Sequence, residues 1–307
     1  MIARSGRPGP GLVDITKDAQ QGKADFHYPE TVHLPGLHEP EPPDAESLAR
    51  AAELVDRAER PLILAGAGVM RSGASAALRA FAEKTGTPVA LTLLGIGGFP
   101  QSHPLCLGMM GMHGEAFVNT AIQHADLLLA FGMRFDDRVT GNLKTYAPHA
   151  KKIHVEIDPS EVGKNVKVDV ALVSDLRVAL EALTPAVRAR RPEAWLAEIE
   201  SGRQETRSRD IIHRDENGRL LAAHVVHDLW KTTGGNSIVV SDVGQHQMWE
   251  AQYYKHDDPR SLITSGGLGT MGFALPAAIG AKMARPDAEV WVVAGDGGFQ
   301  MTQCELA

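Results

Sequence analysis

The chain has 307 residues, of which 43% are hydrophobic and 22% charged, the ordinary composition of a globular protein with room for two domains. Its formal net charge of −7 argues against a nucleic-acid or anionic-membrane partner, since both require a basic surface. With two cysteines, no apolar run of transmembrane length and no signal-peptide pattern, we expect a cytoplasmic protein without a disulfide framework.

The first 43 residues are predicted to be the end of one domain followed by a linker. Residues 11–15 are predicted to form a short strand, and a single strand cannot bury its own faces. We therefore expect residues 1–27 to be the remnant of a domain that lies upstream. Residues 28–43 carry prolines at positions 29, 35, 40, 42 and 43, which block helices and central strands and so indicate a linker.

Residues 44–184 are predicted to form a doubly wound α/β domain. Apolar residues recur at helical spacing after Asp44, which is a good N-cap, and buried apolar strands then alternate with amphipathic helices. This alternation is typical of a parallel sheet, which binds ligands beyond the carboxyl ends of its strands. The predicted strands are Pro61–Ala65, 89–92, 126–131, 153–157 and Val170–Val173; the predicted helices begin at Asp44, lie near 74–84 and 115–124, and close at Leu183.

A charged, arginine-rich stretch, residues 185–218, is predicted to be a second linker with a helix around Trp195. Its basic cluster of Arg188, Arg190 and Arg191 is interpreted as solvated surface. Residues 219–307 are predicted to begin a second α/β domain, truncated within its next helix. Its predicted helices lie near 219–231, 245–253 and 271–283, and its predicted strands are 237–242, Leu262–Thr264 and 289–294.

The strongest single candidate site is VWVVAGDGG, residues 290–298, where an apolar strand ends in Gly-Asp-Gly and leads into a helix. Glycines allow backbone amides to approach a diphosphate, and the start of a helix favours its negative charge. Asp296 offers the hard carboxylate oxygen that a magnesium ion bridging those phosphates needs. An ordinary strand-to-helix turn with a capping aspartate is the alternative, and this segment alone favours neither.

Two further segments of the second domain follow predicted strands. SDVGQHQMW offers Gln245, His246 and Gln247 as hydrogen-bonding groups beside a glycine, although a polar helix start capped by Asp242 explains it equally well. SGGLGTMGFALP combines glycines that permit close approach of a ligand with Met271, which can pack beneath a planar ring. A tight loop before a buried helix is the alternative reading of that segment.

Several loops of the central domain favour a large dinucleotide. Gly66-Ala67-Gly68 is a weak fingerprint by itself, because position 71 is arginine instead of a third glycine. TLLGIGG, GMHG, GMRFDDRVTG and HVEIDP are all expected at one edge of the sheet. Arg134 and Arg138 can bind phosphates there, and Glu156 can bind sugar hydroxyls. The alternative for Asp136-Asp137-Arg138 is a solvated, self-paired loop. For any one segment an ordinary loop is the better interpretation, but four in order favour a ligand.

With these segments in this order, the sequence resembles the large, catalytic subunit of acetolactate synthases, a family of thiamine-diphosphate enzymes. The resemblance covers nearly the whole chain apart from the two linkers. GMRFDDRVTG and VGQHQMW are specific within the thiamine-diphosphate superfamily, whereas GDG is common to all of it. The segments that carry it are SGRPGPGLVDITKD, GAGV, TLLGIGGFP, LGMMGMHG, GMRFDDRVTG, HVEIDPSEVGKN, VGQHQMW, GGLGTMGFALPAAIGA and GDGGFQMT.

The resemblance implies pyrimidine-binding, central FAD-binding and diphosphate-binding domains, here residues 1–27 as a remnant, 44–184, and 219–307 as a start. The catalytic glutamate would lie in the missing first domain, so we expect no synthase activity from these 307 residues alone. Thiamine diphosphate would be held by Gly244, Gln245, His246, Met271, Gly295, Asp296, Gly297 and Gly298, with Asp296 also binding Mg²⁺. FAD would be held by Gly66, Thr92, Leu93, His113, Gly114, Gly132, Arg134, Asp136, Arg138, Glu156 and Asp175.

The implied reaction is the decarboxylation of pyruvate and the joining of its two-carbon remainder to a second 2-oxo acid, pyruvate or 2-oxobutanoate, in branched-chain amino-acid biosynthesis. The resemblance also implies a homodimer or homotetramer with a small regulatory subunit. Two alternatives stay open. One is another flavin-containing thiamine-diphosphate enzyme, such as glyoxylate carboligase or pyruvate oxidase, and the other is a non-catalytic FAD-binding module.

Overall fold

The computed structural model describes residues 2–32, 34, 41–213 and 218–307, which form two parallel sheets, so the predicted α/β fold class is confirmed. The strands of the first sheet are β1 (Pro61–Ala65), β2 (Val89–Leu91), β3 (Cys106–Met109), β4 (Leu127–Phe131), β5 (Lys151–Glu156) and β6 (Val170–Val173). They lie side by side in the order β3-β2-β1-β4-β5-β6, which is the order of doubly wound dinucleotide-binding folds.

Helices cover both faces of this first sheet. The described α-helices up to residue 213 are, in chain order, α1 (Lys17–Gln21), α2 (Ala45–Arg57), α3 (Gly68–Arg71), α4 (Ser75–Thr85), α5 (Ala116–His124), α6 (Asp137–Thr140), α7 (Leu176–Ala186) and α8 (Glu193–Ser208). Of these, α1 buries no residue. Because successive strand residues point to opposite faces, Ile63 packs in the core under α2, α4 and α7, while Leu62 and Leu64 pack in the core under α5 and α8. The apolar runs of the strands are thus explained by burial on both sides.

Two expectations about strands need correction. β3 was not predicted, because four residues that include a glycine give no readable alternation. Residues 11–15 were expected to form a strand and do not, and Leu12 and Val13 are 95% and 81% exposed. Within the described residues no strand pairs with this segment, and an isolated strand has no ladder partner to stabilise it.

The two predicted linkers differ in structure. Positions 33 and 35–40 of the first and 214–217 of the second lie outside the described residues, and the described part of 28–43 contains neither helix nor strand. In the second, the helix predicted around Trp195 is confirmed as α8. Trp195 is buried against the first sheet, and its Nε1 donates to the Pro61 carbonyl at 2.9 Å. This part of 185–218 is therefore a packed layer of the first unit.

The interpretation of the basic cluster at 188–191 as solvated surface is wrong for Arg190. Its guanidinium group donates to the carbonyls of Val55, Asp56 and Ala58 at the carboxyl end of α2. These carbonyls have no partner inside the helix, so a cation that also donates hydrogen bonds stabilises them. Arg188 and Arg191 are exposed, as expected.

The second sheet is smaller and forms the core of the second unit. Its strands are β7 (Ile238–Ser241), β8 (Leu262–Thr264) and β9 (Val290–Val293), in the parallel order β8-β7-β9. The helices around it are α9 (Ala222–Thr233), α10 (Gln245–Tyr253), α11 (Ala274–Ala284) and α12 (Asp296–Thr302). In the part of the chain that is described, no helix is long and apolar enough to cross a membrane.

A short segment after α10 joins the two units through hydrogen bonds. The His256 N–H donates to Gln101 Oε1 at 2.8 Å, and the Gln101 N–H donates to the His256 carbonyl at 3.2 Å. The next residue, Asp257, accepts from both the N–H and the hydroxyl of Ser102, at 2.8 and 2.7 Å. The carboxyl end of α10 is therefore fixed to the loop that follows β2.

Candidate functional site

Three loops meet at the carboxyl edge of the second sheet, one after each strand. Asp242, directly after β7, donates its N–H to the Val293 carbonyl at the end of β9 (2.9 Å). Its carboxylate accepts from the N–H of Gly272, in the loop after β8, at 3.0 Å to each oxygen. The structure thus brings together the three segments in which the sequence predicts thiamine-diphosphate residues, as parallel strands require.

His246 lies in a cradle of glycines at this edge. Gly244 has φ 153° and ψ −162°, a conformation almost restricted to glycine, and a Cβ there would lie 2.8 Å from His246 Cε1. A Cβ at Gly295 would lie 3.1 Å from the same atom. The buried Nε2 atom of His246 has no hydrogen-bond partner among the described residues. Burial lowers the pKa of His246, against the opposing charge of Asp242, so the ring is kept neutral.

Asp296 and Met271 lie beside this cradle. Asp296 begins α12, is exposed, and accepts the N–H of Gly297 at 2.9 Å. The Met271 methyl group lies 3.5 Å from the Cβ position of Gly297, so the methionine borders the Gly295–Gly298 turn. A cleft of about 420 Å³ opens here, lined by Leu275, Val292, Ala294, Gly295, Asp296 and Phe299.

The two glutamines of the QHQ segment have different environments. Gln245 is exposed at the start of α10, where a ligand could reach it. Gln247 is buried, and its Nε2 donates to Thr264 Oγ1 at 2.7 Å, so it ties α10 to β8. Of the polar side chains that the sequence offers here, Gln245 and His246 therefore remain for ligand binding.

In the first unit the glycines after β1 and β4 pack against each other. Gly68 donates its N–H to the Gly132 carbonyl at 2.9 Å, and a Cβ on either Gly66 or Gly68 would lie 2.5 Å from Gly132 atoms. The contact between these two loops lies between β1 and β4, where the strand order reverses and where doubly wound sheets bind their ligands. The glycines at 66 and 68 are thus required by loop packing, whatever ligand lies above them.

The GMHG and GMRFDDRVTG loops also meet, since Met112 donates its N–H to the Arg138 carbonyl at 2.8 Å. His113, Arg134 and Arg138 are exposed at this edge, and Gly114 and Asp136 are half-buried. Arg134 Nη2 lies 3.4 Å from Asp136 Oδ2, so this pair matches the self-paired loop that was the alternative reading. A weak exposed pair of this kind leaves Arg134 able to exchange its partner for a phosphate.

The remaining predicted FAD residues end β2, β5 and β6 at the same edge. Thr92 and Leu93 directly follow β2 and are half-buried. Glu156 ends β5 and is 7% exposed; its Oε1 accepts the N–H groups of Ile157 and Asp158, and burial raises its pKa. Asp175 caps α7 by accepting from Arg177 and Val178. These two carboxylates therefore already order the backbone around the edge.

Sequence reasoning missed a groove of about 920 Å³ between α5 and α8 on one side and α9 and α10 on the other. Glu115, just before α5, lines it, and burial raises the pKa of Glu115 to about 7, with the charge of Asp210 adding to the effect. Asp210 itself accepts from the Tyr253 hydroxyl at 3.0 Å. Nothing in the spacing of an acidic residue after GMHG distinguishes this glutamate from a surface residue.

Replacing Glu115 by glutamine should stabilise the chain above neutral pH and not at pH 4.5. A carboxyl group with a raised pKa holds its proton more tightly in the folded chain, so wild-type stability falls as pH rises from about 4.5 to about 7. The difference corresponds to roughly 3 kcal/mol once both states are ionised. Urea unfolding at pH 4.5 and pH 8 measures it, with exposed Glu181→Gln as the control. An equal effect of Glu115→Gln at both pH values would contradict the prediction.

The fold and these two edges define a doubly wound α/β protein of two units, each with loops suited to a ligand at the carboxyl ends of its strands. The family model "Thiamine pyrophosphate enzyme, central domain" matches residues 48–183, and "Thiamine pyrophosphate enzyme, C-terminal TPP binding domain" matches residues 242–307. The chain belongs to the thiamine pyrophosphate enzyme family.

Similar curated proteins are named as acetolactate synthases. The chain is 46% identical over 312 residues to "Acetolactate synthase large subunit" of Corynebacterium glutamicum, covering 99% of this chain and 49% of that protein. It is 44% identical to "Probable acetolactate synthase large subunit" of Methanocaldococcus jannaschii and 43% to "Acetolactate synthase 1, chloroplastic" of Nicotiana tabacum, covering all of this chain and 53% and 46% of theirs. The resemblance identified from the motifs is confirmed, and the chain spans about half the length of the curated relatives it matches.

Proposed function

We propose that the chain is part of an acetolactate synthase catalytic subunit, with thiamine diphosphate and Mg²⁺ bound by the second unit and FAD by the first. The observation that carries the proposal is the meeting of three loops at the carboxyl edge of the second sheet, where the buried Nε2 atom of His246 has no hydrogen-bond partner among the described residues. Relatives named as acetolactate synthases support the reaction, in which pyruvate is decarboxylated and joined to a second 2-oxo acid such as 2-oxobutanoate.

The second-unit edge fits a diphosphate. Gly244 and Gly295 leave space where a Cβ would meet His246, so their backbone can approach a ligand closely. His246 Nε2 is a buried polar atom with no hydrogen-bond partner in the described part of the chain, and a phosphate oxygen would supply one. Gln245, Gly297 and Gly298 belong to the same two loops, and Met271 offers an apolar side chain beside them.

Asp296 is the proposed Mg²⁺ ligand. Its carboxylate is exposed at the cleft and accepts only a local hydrogen bond from Gly297 among the bonds described. Magnesium prefers one or two carboxylate oxygens together with phosphate oxygens and water, which matches a single aspartate beside a diphosphate site. Within the described residues no cluster of three or more acidic, histidine or cysteine side chains offers an all-protein metal site.

The FAD proposal rests on the first sheet. The proposed residues end a strand or follow one at a single edge of this sheet: Gly66, Thr92, Leu93, His113, Gly114, Gly132, Arg134, Asp136, Arg138, Glu156 and Asp175. Exposed Arg134 and Arg138 supply charge for the phosphates, and the reversal of strand order between β1 and β4 supplies the crevice. Glu156 and Asp175 can contact the ligand only with the oxygen atoms that the backbone N–H groups leave free.

Thiamine diphosphate, when bound, supplies the carbon nucleophile that reacts with the 2-oxo acid. The chain's own residues would orient the cofactor: His246 would form a hydrogen bond with a phosphate oxygen, Asp296 would bind Mg²⁺, and Met271 would pack against the organic part. The proposal also includes a homodimer or homotetramer, a small regulatory subunit and a cytoplasmic location. Of these, the smaller subunit is supported by two relatives that are named as large subunits.

Cofactor titration of the 307-residue chain tests the proposal. We expect thiamine diphosphate to bind only with Mg²⁺ and FAD to bind independently of both, by calorimetry and by flavin absorbance. FAD binding without any thiamine-diphosphate binding would favour the non-catalytic flavin module. Binding of neither cofactor would refute the proposed sites.

Replacing Asp296 by alanine should weaken Mg²⁺-dependent binding of thiamine diphosphate at least about tenfold, since even outer partners of metal sites contribute 10–100-fold. FAD binding should not change, because Asp296 lies in the other unit. Calorimetry over a series of Mg²⁺ concentrations separates the metal effect from direct contact. Exposed Asp287→Ala in the same unit is the matched control. Equal affinities of wild type and Asp296→Ala would show that the metal is held elsewhere.

A further inference from the structure

Asp242 contacts all three loops of the proposed thiamine-diphosphate site, although the sequence indicated only a possible helix cap. It is 1% exposed. Its Oδ1 accepts the N–H of Val243, in the loop after β7, at 2.8 Å, and both carboxylate oxygens accept the N–H of Gly272 at 3.0 Å. A single side chain thereby fixes the backbone of two loops that are distant in sequence.

The third loop touches the same carboxylate. A Cβ at Gly298 would overlap Asp242 Oδ2, so the glycine allows the Gly295–Gly298 turn to pack directly on the aspartate. Gly272 is also held from its other side, because Thr302 at the end of α12 donates its hydroxyl to the Gly272 carbonyl at 3.1 Å. Gly272 has φ +83°, which disfavours any other residue, so its loop is fixed at one defined point.

The environment of Asp242 indicates a positioning role instead of an ion pair. Among the described residues no lysine or arginine forms an ion pair with Asp242. Burial lowers the pKa of the neighbouring His246, which disfavours a cation there. Burying a carboxyl group without a cation is costly, and hydrogen bonds from backbone N–H groups recover only part of that cost. The compensation here consists of N–H groups from the loops that carry the cofactor residues.

We propose that Asp242 is a positioning residue of the thiamine-diphosphate site, which holds the Met271 loop and the Gly295–Gly298 turn in register with His246. The proposal rests on the function proposed above. Without Asp242 the three loops keep their strands but lose their common anchor. The site then has to be ordered by the ligand itself, which weakens binding.

The substitution Asp242→Asn, made in the whole 307-residue chain, tests this role. The amide places an N–H₂ group where one carboxylate oxygen now accepts the Gly272 N–H, so one acceptor is lost. We expect Mg²⁺-dependent binding of thiamine diphosphate to fall about tenfold to a hundredfold, as for loss of a charged hydrogen bond. Hydrogen exchange should speed up in peptides covering 265–273 and 295–299, while those covering β7 and α11 keep their protection. FAD affinity should stay at the wild-type value.

Two other variants make the experiment decisive. Asp257→Asn makes the same change at an aspartate that accepts from a backbone N–H far from this edge, that of Ser102, and should leave thiamine-diphosphate affinity unchanged. Thr302→Val releases the opposite side of Gly272 and should reproduce the faster exchange of 265–273 even if Asp242→Asn does not fold. Unchanged exchange in both edge variants would overturn the inference.

The outcomes also separate this inference from the function on which it rests. If wild type does not bind thiamine diphosphate, the proposed function fails, whatever the variants do. If wild type binds and Asp242→Asn binds equally well, only the positioning role fails. Faster exchange throughout the second unit would show a general stabilising role, and would also overturn the assignment of Asp242 to the site.

Discussion

Replacing Glu250 by alanine is expected to destabilise the second unit by about 3–5 kcal/mol, the usual cost of removing one partner of a buried pair. Glu250 and His256 are both fully buried, and Glu250 Oε1 lies 2.5 Å from His256 Nε2. The other ring nitrogen of His256 lies 2.8 Å from Ser261 Oγ. Loss of the carboxylate leaves a buried polar ring with half of its hydrogen bonds, and leaves a cavity beside it.

Urea unfolding followed by tryptophan fluorescence, to which Trp249 on the same helix as Glu250 contributes, measures this loss. Asp228→Ala is the matched control, because it removes an exposed acidic residue 4.0 Å from Lys231 in the same unit and should cost less than about 1 kcal/mol. Glu250→Gln keeps the shape of the side chain and one acceptor, so its loss of unfolding free energy should lie between those of Glu250→Ala and Asp228→Ala. A loss below about 1 kcal/mol for Glu250→Ala would mean that the pair contributes little.

The pair matters beyond the second unit, because the backbone of His256 bonds to Gln101 in the first. The same helix, α10, carries Gln245 and His246 at its start and Glu250 in its middle. We therefore expect Glu250→Ala to weaken the junction between the units as well as the core. Faster hydrogen exchange in the loop 97–102 would report this second effect.

The strands and helices could be predicted from the sequence where the signal is local. Val170–Val173 and Leu262–Thr264 are short apolar runs bounded by polar or glycine residues, and both strands have the predicted bounds. The collection of glycine-rich loops at one edge also follows from local reasoning, since carboxyl ends of parallel strands share an edge. The prediction of a strand at residues 11–15 was wrong, because an apolar run does not indicate whether a partner strand exists.

Contacts between distant residues could not be predicted. The sequence shows Gly68 and Gly132 as glycines near strand ends, but only the fold shows that each occupies the space a Cβ on the other would need. Asp242 gave a weak signal as a charged residue directly after a buried strand, whereas Glu250 and His256 gave none. Their roles depend on which elements pack against them, and hydrophobic periodicity does not encode that.

Replacing Trp195 by alanine is expected to destabilise the first unit by about 3–5 kcal/mol, the usual cost of truncating a buried aromatic side chain. Trp195, on α8, is 2% exposed and packs in the core that α5 and α8 form on one face of the sheet. Its indole also donates to the Pro61 carbonyl at 2.9 Å, and that bond contributes about 1 kcal/mol of the loss. The composition of residues 185–218 predicted a linker, in which such a change would have little effect.

Guanidinium unfolding followed by circular dichroism measures the difference without relying on the fluorescence of the deleted tryptophan. Trp291→Ala is the control, since Trp291 is 41% exposed on β9 and its truncation should cost much less. Trp195→Phe keeps most of the volume but not the N–H group, so it isolates the bond to Pro61. A loss below about 1 kcal/mol for Trp195→Ala would return residues 193–208 to the role of a linker. A loss of the expected size makes α8 an integral layer of the unit proposed to bind FAD.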